Sequence, residues 1–289
     1  MIGSSELIIN PDGSIFHLHL RPEQIADHVI LVGDPERTDL VAEHFQEKEP
    51  KIQNREFVSI TGTCNNRRLT VISTGIGSDN IDIVMNELDA LVNIDFETRE
   101  VREERRSLNI IRIGTTGALS EEADLNEYIL SKKAIGFDGL LNYYAGRESI
   151  TDSDFEHQFK NHLHWNPLLA SPYVVDCSAS LFEKINSKKF SSGVTISAPG
   201  FYGPQGRMLR LEIVDPGINK KIQSFSYNDY KITNYEMECS AIYGLSALMG
   251  HEAITACLII ANRINNKTNI DYRKKMDDLI QLILKSITT

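Results

Sequence analysis

In Leu108-Asn109-Ile110-Ile111-Arg112-Ile113-Gly114-Thr115-Thr116-Gly117 an apolar run ends at a cation, a hydroxyl pair and two glycines. The apolar part, about 109–113, has the character of a strand buried on both faces. Gly-Thr-Thr-Gly is then expected to turn the chain at the strand's carboxyl edge. An arginine at that edge suits an oxyanion such as phosphate, because a guanidinium offers a planar fork of donors. Threonine hydroxyls and exposed backbone N–H groups can complete the cradle.

Similar strands lie on either side. His28-Val29-Ile30-Leu31-Val32 ends in Gly33-Asp34-Pro35, where Asp34 is a good N-cap and Pro35 a good first helical residue. A helix over 36 to about 48 is expected to follow. Leu69-Thr70-Val71-Ile72 leads into Ser73-Thr74-Gly75-Ile76-Gly77, with Asp79 expected to cap the next helix. In that helix Ile81, Val84, Met85, Leu88, Leu91 and Val92 recur at spacings of three and four, the stripe of one buried face. Val194-Thr195-Ile196-Ser197 and Ala256-Cys257-Leu258-Ile259-Ile260 read as further strands, and helical patterns follow Tyr235 and Asp271. Repeated strand–helix alternation predicts an α/β fold whose largely parallel sheet is covered on both faces. No linker interrupts it, so residues 1–289 are read as one domain. The charge run 97–106 is expected to be a solvated helix end or a loop insertion. The polar, aromatic stretch 143–172 suits a lid, an interface or an inserted hairpin.

The 289 residues are 41% hydrophobic and 24% charged, the balance of a folded protein rather than a disordered one. A formal charge of −10 argues against a nucleic-acid or anionic-membrane surface while leaving room for one basic pocket. No apolar run approaches the roughly 18–20 residues of a membrane span. Residues 1–11 lack the basic and apolar regions of a signal peptide. Cys64, Cys177, Cys239 and Cys257 are scattered, as expected for free thiols in a reducing cytoplasm.

Five constellations carry chemistry. Gly33-Asp34-Pro35-Glu36-Arg37 offers a helix N-terminus with a cation one turn in, against the plainer reading of a capped helix with a solvent arginine. Arg55-Glu56-Phe57 places an arginine before a strand, where an edge ion pair is the plainer reading. Ser73-Thr74-Gly75-Ile76-Gly77-Ser78 lacks the third glycine of the dinucleotide fingerprint, since position 80 is Asn80. In Phe201-Tyr202-Gly203-Pro204-Gln205-Gly206-Arg207, aromatics form a stacking wall. Gln205 and Arg207 can there read the edge of a planar heterocycle with carbonyls and an N–H, and a surface turn is the alternative. Tyr235-Glu236-Met237-Glu238 places two acids at an expected helix start, as dipole complements or as a grip on vicinal hydroxyls. Adjacent helical residues diverge, so at most one of the two is expected to face a ligand. Strand alternation would put His17 and His19 on one face, but no further metal ligand stands at suitable spacing.

Taken in order, Phe-His-Leu, Gly-Asp-Pro-x-Arg, Arg-Glu-Phe, Ser-Thr-Gly-Ile-Gly, Arg-Ile-Gly-Thr-Thr-Gly, Phe-Tyr…Gln-x-Arg, Glu-Met-Glu and Asn-Arg resemble the nucleoside phosphorylase superfamily, specifically its uridine phosphorylase branch. The resemblance runs from about Phe16 to the C-terminus and is weak over 138–192. It implies a three-layer αβα fold around a mixed, partly barrel-like sheet covered by helices. The reaction it implies is reversible phosphorolysis of uridine to uracil and ribose 1-phosphate, with no cofactor. Gly33, Arg37, Arg112 and Thr115 would bind phosphate, with Arg55 entering from a neighbouring subunit. Thr115, Met237 and Glu238 would hold the ribose, and His17 of the neighbour would approach the 5′-hydroxyl. Phe201 would stack on the base while Gln205 and Arg207 bond its polar edge. The partners implied are uridine, phosphate and further copies of this chain, as a homodimer at least or a hexamer built as a trimer of dimers.

The chain departs from the family pattern in places. Residues 97–106 look inserted, Gly203-Pro204 inverts the expected order, and Met208-Leu209-Arg210-Leu211 replaces a more polar continuation. Some relatives hold a potassium ion between subunits through a glutamate like Glu56; here Asn80 replaces the serine expected beside it. A purine nucleoside phosphorylase, a nucleosidase and a non-catalytic nucleoside-binding protein share the scaffold. Against the first, Asn262 stands where the hexameric purine enzymes carry a protonating aspartate. Against the second stand the three arginines Arg37, Arg55 and Arg112. Against the third stands retention of both the arginines and the base-reading pair.

Overall fold

The computed structural model describes residues 1–289. Parallel strands at its centre alternate sides residue by residue. In β1 (His28–Val32), Val29 and Leu31 face one core while Ile30 and Val32 face another. The first core is covered by α2 (Ser78–Asn93) and α6 (Cys239–Met249), the second by α1 (Pro35–Ala42), α4 (Ala179–Ile185) and α7 (Arg273–Thr288). This is the expected three-layer arrangement. Between these helices run β2 (Phe57–Cys64), β3 (Arg67–Ser73), β4 (Asn109–Ala118), β5 (Tyr128–Gly136), β6 (Tyr173–Asp176), β7 (Phe190–Ser197), β8 (Tyr230–Glu236) and β9 (Glu252–Asn262). A third core, rich in phenylalanine, lies under α3 (Ser153–Leu163) and α5 (Ile218–Ser224).

One mixed sheet runs β8-β7-β5-β9-β4-β1-β3-β2. It closes on itself in part, because β8 also pairs antiparallel with β4, Tyr235 opposite Gly117 and Asn234 opposite Ala118. The five strands β4, β9, β5, β7 and β8 thereby form a small barrel, while β1, β3 and β2 extend from it as an open sheet.

Several local expectations change. The strand through Arg112 does not stop at Ile113; it continues to Ala118, and Gly-Thr-Thr-Gly is strand rather than turn. Its second half keeps β9 as a partner along one edge, and β8 joins on the other at Gly117 and Ala118. The helix expected over 36–48 ends at Ala42, and Glu47–Lys48 pairs with β2 instead. Asp34 caps that helix as expected, its side chain accepting from Glu36 N. Asp79 is no cap: α2 starts at Ser78, after Gly77. His17 and His19 lie in a turn, His19 at φ +52°, so strand alternation does not apply to them.

The charge run 97–106 is neither a helix end nor wholly irregular, since Glu100–Val101 pairs with Ile94–Asp95 in a small ribbon. Its Arg99 donates to the carbonyls of Ile2, Gly3 and Leu7 and so anchors the N-terminal segment. Stretch 143–172 is largely α3 and short turns, not a hairpin; Phe155, Phe159 and Leu163 bury its inner face. All four cysteines are free.

Candidate active site

Arg112 sits in the middle of the sheet, opposite Leu31 of β1 and Thr255 of β9, and only 6% of it is exposed. The guanidinium folds back along its own strand, where a Cβ at Gly114 would overlap it. Residues 112 and 114 share a strand face, so glycine at 114 makes room for the cation. Two carboxylates grip it. Glu238 bonds Nη2, and Glu236 Oε2 lies 3.2 Å from Nη1. Cys257 Sγ accepts from Nη1 at 3.3 Å, its thiol pushed up to about 12 by burial. Burial opposes charge on Arg112, yet Glu238 and Glu236 together hold its pKa above the ordinary value.

Both glutamates therefore reach the same cation. They do not stand on a helix. Glu236 closes β8, and Glu238 occupies the N-cap position of α6, so a strand-to-helix corner turns both inward. Gly77, after β3, donates its N–H to Glu238 Oε1 at 2.8 Å.

Arg37, in the first turns of α1, reaches the carbonyl of Ile113 at 3.4 Å. Burial lowers its pKa, and Arg112 lowers it further. Arg37 forms no ion pair; the one hydrogen bond of its guanidinium is to that carbonyl. Gly33 stands between β1 and α1, across from the Gly75 carbonyl. Thr115 is half-buried on the same face of β4 as Gly117.

Gly117 looks onto a second cationic group, its Cβ direction pointing at Arg263 and at Arg207 Nη2, 3.8 Å away. Arg207 stacks over Phe201, Cζ 3.8 Å from the ring centroid, and bonds Gln205 Oε1 and the Phe201 carbonyl. Gln205 is buried, while Phe201 is half exposed. Burial, then the neighbouring Arg263, push Arg207 down to about 10. Arg263 Nη1 donates to the Gln205 carbonyl at 3.0 Å, and burial lowers its pKa too. Arg207 and Arg263 are thus adjacent guanidiniums with no carboxylate between them. Such a pair favours an anion or carbonyl oxygens.

The expected residues thus fall into two clusters along β4: Gly33, Arg37, Arg112 and Glu238 at one end, Phe201, Gln205 and Arg207 at the other. Met237 is half-buried between Glu236 and Glu238. Arg55 and His17 join neither cluster. Arg55 is exposed in the hairpin turn before β2, at φ +54°, and forms no ion pair. His17 Nδ1 lies 2.6 Å from Glu87 Oε1, and its carbonyl accepts from Asn54 Nδ2 at 2.8 Å. The two segments therefore neighbour each other, and neither side chain bonds the arginines of its own chain.

Three residues of the site escaped the reading by pattern. Arg263 was visible in the Asn-Arg pair, but nothing in the sequence told which way it points. Glu236 and Gly77 stood inside motifs already singled out, but the sequence did not show that one would hold Arg112 and the other Glu238.

The family model described as phosphorylase superfamily matches residues 27–287, and the chain belongs to that superfamily. It is a pentosyltransferase of the nucleoside phosphorylase kind. It is 27% identical over 270 residues to the uridine phosphorylase of Thermococcus kodakarensis, covering 91% of this chain and 83% of that one. It is 25% identical over 275 residues to a DeoD-type purine nucleoside phosphorylase of Buchnera aphidicola, covering 94% and 98%. Among solved structures it is similar to a Trypanosoma brucei nucleoside phosphorylase that shows uridine phosphorylase activity. That match has a TM-score of 0.86 and 27% identity, and covers 97% of this chain and 98% of that one.

Proposed function

We propose that the chain is a uridine phosphorylase, cleaving uridine with inorganic phosphate to uracil and ribose 1-phosphate, reversibly. One observation carries the reading. Arg37, Arg207 and Arg263 line the two ends of the site without forming an ion pair, their guanidiniums bonded only to carbonyls and an amide oxygen. Partly buried cations left without counter-ions are costly unless a ligand supplies the negative charge.

In this reading phosphate lies against Gly33, Arg37, Arg112 and Thr115, with Arg55 of a neighbouring subunit. Thr115, Met237 and Glu238 hold the ribose, with His17 of the neighbour near the 5′-hydroxyl. Phe201 stacks on uracil while Gln205, Arg207 and Arg263 face its carbonyl edge. Cleavage of the glycosidic bond develops positive charge on the sugar and negative charge on the departing base. Phosphate stabilises the first and attacks C1′; the Arg207–Arg263 pair stabilises the second. This is positioning and electrostatic stabilisation.

Exposure of Arg55, and the absence of any bond from Arg55 or His17 to the arginines of the same chain, support a homodimer at least, and a trimer of dimers is compatible with it. We read residues 1–289 as one domain, acting in the cytoplasm in pyrimidine salvage. No helix is long and apolar enough to cross a membrane. We propose no resident potassium near Glu56, because Asn80 Nδ2 donates to Glu56 Oε1 at 3.1 Å and supplies a donor where a cation needs acceptors.

Similarity to DeoD-type enzymes keeps purine nucleosides as the second reading. Asn262 argues against it, since its amide is fully engaged with backbone: Nδ2 donates to the Ser120 and Ala123 carbonyls, and Oδ1 accepts from Ile264 and Asn265. The test is an ultraviolet assay of uridine, deoxyuridine, thymidine and inosine, each with and without phosphate. Phosphate-dependent cleavage of uridine above inosine is expected. Preference for inosine, or uracil release without phosphate, would overturn the reading.

A further inference from the structure

Glu236 belongs to the Glu-Met-Glu corner, yet nothing in the proposed substrate contacts uses it. Its side chain is almost wholly buried, 1% exposed. Oε1 accepts from Ser197 Oγ at 2.5 Å. Oε2 accepts from the backbone N–H groups of Glu238 and Cys239, both at 2.9 Å, and faces Arg112 Nη1 at 3.2 Å. Ser197 Oγ in turn accepts from Ser240 N at 2.8 Å. Protein donors thus engage both carboxylate oxygens. One side chain therefore ties together the end of β7, the end of β8, the first turn of α6 and the arginine of β4.

We infer that Glu236 is the positioning residue of Arg112, holding the guanidinium on its Nη1 side while Nη2 and Glu238 face the ligand side. The inference rests on the proposed phosphate site. Two consequences follow from the geometry. Arg112 is the only cation within ion-pair distance of Glu236, so removing the carboxylate's charge acts on the arginine directly. The same oxygen caps α6 at the residue that carries Glu238, so the orientations of Arg112 and Glu238 share one anchor. Burial raises the pKa of Glu236, and Glu238 adds to that, while Arg112 opposes it; the cation is what keeps a second carboxylate tolerable there.

A purely structural cap would give a different pattern from a positioning residue, and a double-mutant cycle separates them. Glu236→Gln keeps the shape and one acceptor oxygen. It is expected to raise the phosphate KM about tenfold, the scale of one lost charged hydrogen bond, with a smaller change in the uridine KM. In an Arg112→Lys background the same substitution is expected to add little, because its target is gone. Ser197→Ala, which frees Oε1 without touching the charge, should shift the phosphate KM in the same direction by less. It also serves where Glu236→Gln fails to fold. Phosphate binding by calorimetry should follow the phosphate KM. Additive effects of Glu236→Gln and Arg112→Lys, or loss of melting temperature with phosphate KM unchanged, would overturn the inference. A wild-type protein that neither binds phosphate nor needs it would instead remove the phosphorolysis reading, and this inference with it.

Discussion

The backbone N–H of Gly77 donates to Glu238 Oε1 at 2.8 Å, joining the end of β3 to the start of α6 across 161 positions of sequence. Gly77 does so at φ +101° and ψ 160°, a conformation open essentially to glycine alone. The glycine turn is thus part of the carboxylate's mount and not a dinucleotide loop. Gly77→Ala is expected to cost about 1–3 kcal/mol of stability through backbone strain. It should also weaken nucleoside binding, because a backbone relaxing from that conformation moves the N–H that Glu238 accepts from. Thermal melts and the uridine KM check this; a variant with wild-type values in both would contradict the role.

Arg37 is a partly buried cation without a carboxylate partner. Arg37→Met is therefore expected to leave the fold at least as stable, since it removes an unpaired charge and keeps an apolar stem. The same change should remove the response to ligand. Inorganic phosphate at about 100 times its dissociation constant stabilises a binding protein by about 2.7 kcal/mol. Wild-type melting temperature should rise with phosphate, and the variant's should not. Equal rises in both would place the anion elsewhere.

Arg207 lies against the Phe201 ring with Arg263 beside it, poised over the region assigned to the base. Removing one well-aimed donor to developing negative charge costs about 3–4 kcal/mol in the barrier. Arg207→Ala should accordingly lower kcat for uridine by about two to three orders of magnitude, with the fold intact by circular dichroism. Near-normal turnover in the folded variant would refute the assignment.

Asn262 tests the purine reading from the other side. Its Nδ2 donates to two backbone carbonyls, at 2.9 and 2.6 Å. Asn262→Asp would aim a carboxylate oxygen at both, leaving buried acceptors unpaired at a cost of about 1–3 kcal/mol each. The variant is expected to melt lower and to gain no inosine phosphorolysis. Appearance of purine activity would show that position 262 faces the base after all.

Much of the frame was legible because the signals are local. Apolar runs of four or five residues marked β1, β3 and β9, and the three-and-four spacing from Ile81 to Val92 marked α2, with Asp34 and Pro35 opening α1. That Arg112, Gln205 and Arg207 are polar groups worth following was legible from residue type, and the structure brings Gln205 and Arg207 into contact. Boundaries failed where a distant partner outvoted local preference. Gly-Thr-Thr-Gly reads as a turn by itself, but β9 pairs along its whole length and β8 takes up Gly117 on the other edge. Asp79 reads as a cap, but Gly77 takes that position.

The amino-acid order alone determined the alternation of strands and helices, and with it the layered class, because side-chain period and capping chemistry act over a few residues. It also determined which donors and acceptors the site has to work with. The tertiary structure decided how they are aimed. Pairing of Tyr235 with Gly117 closes the barrel and turns Glu236 and Glu238 onto one arginine. Folding sets Arg263 beside Arg207 and spends Asn262 on backbone carbonyls. Those outcomes depend on burying and satisfying polar groups from about sixty to more than a hundred residues apart, which no spacing along the chain records.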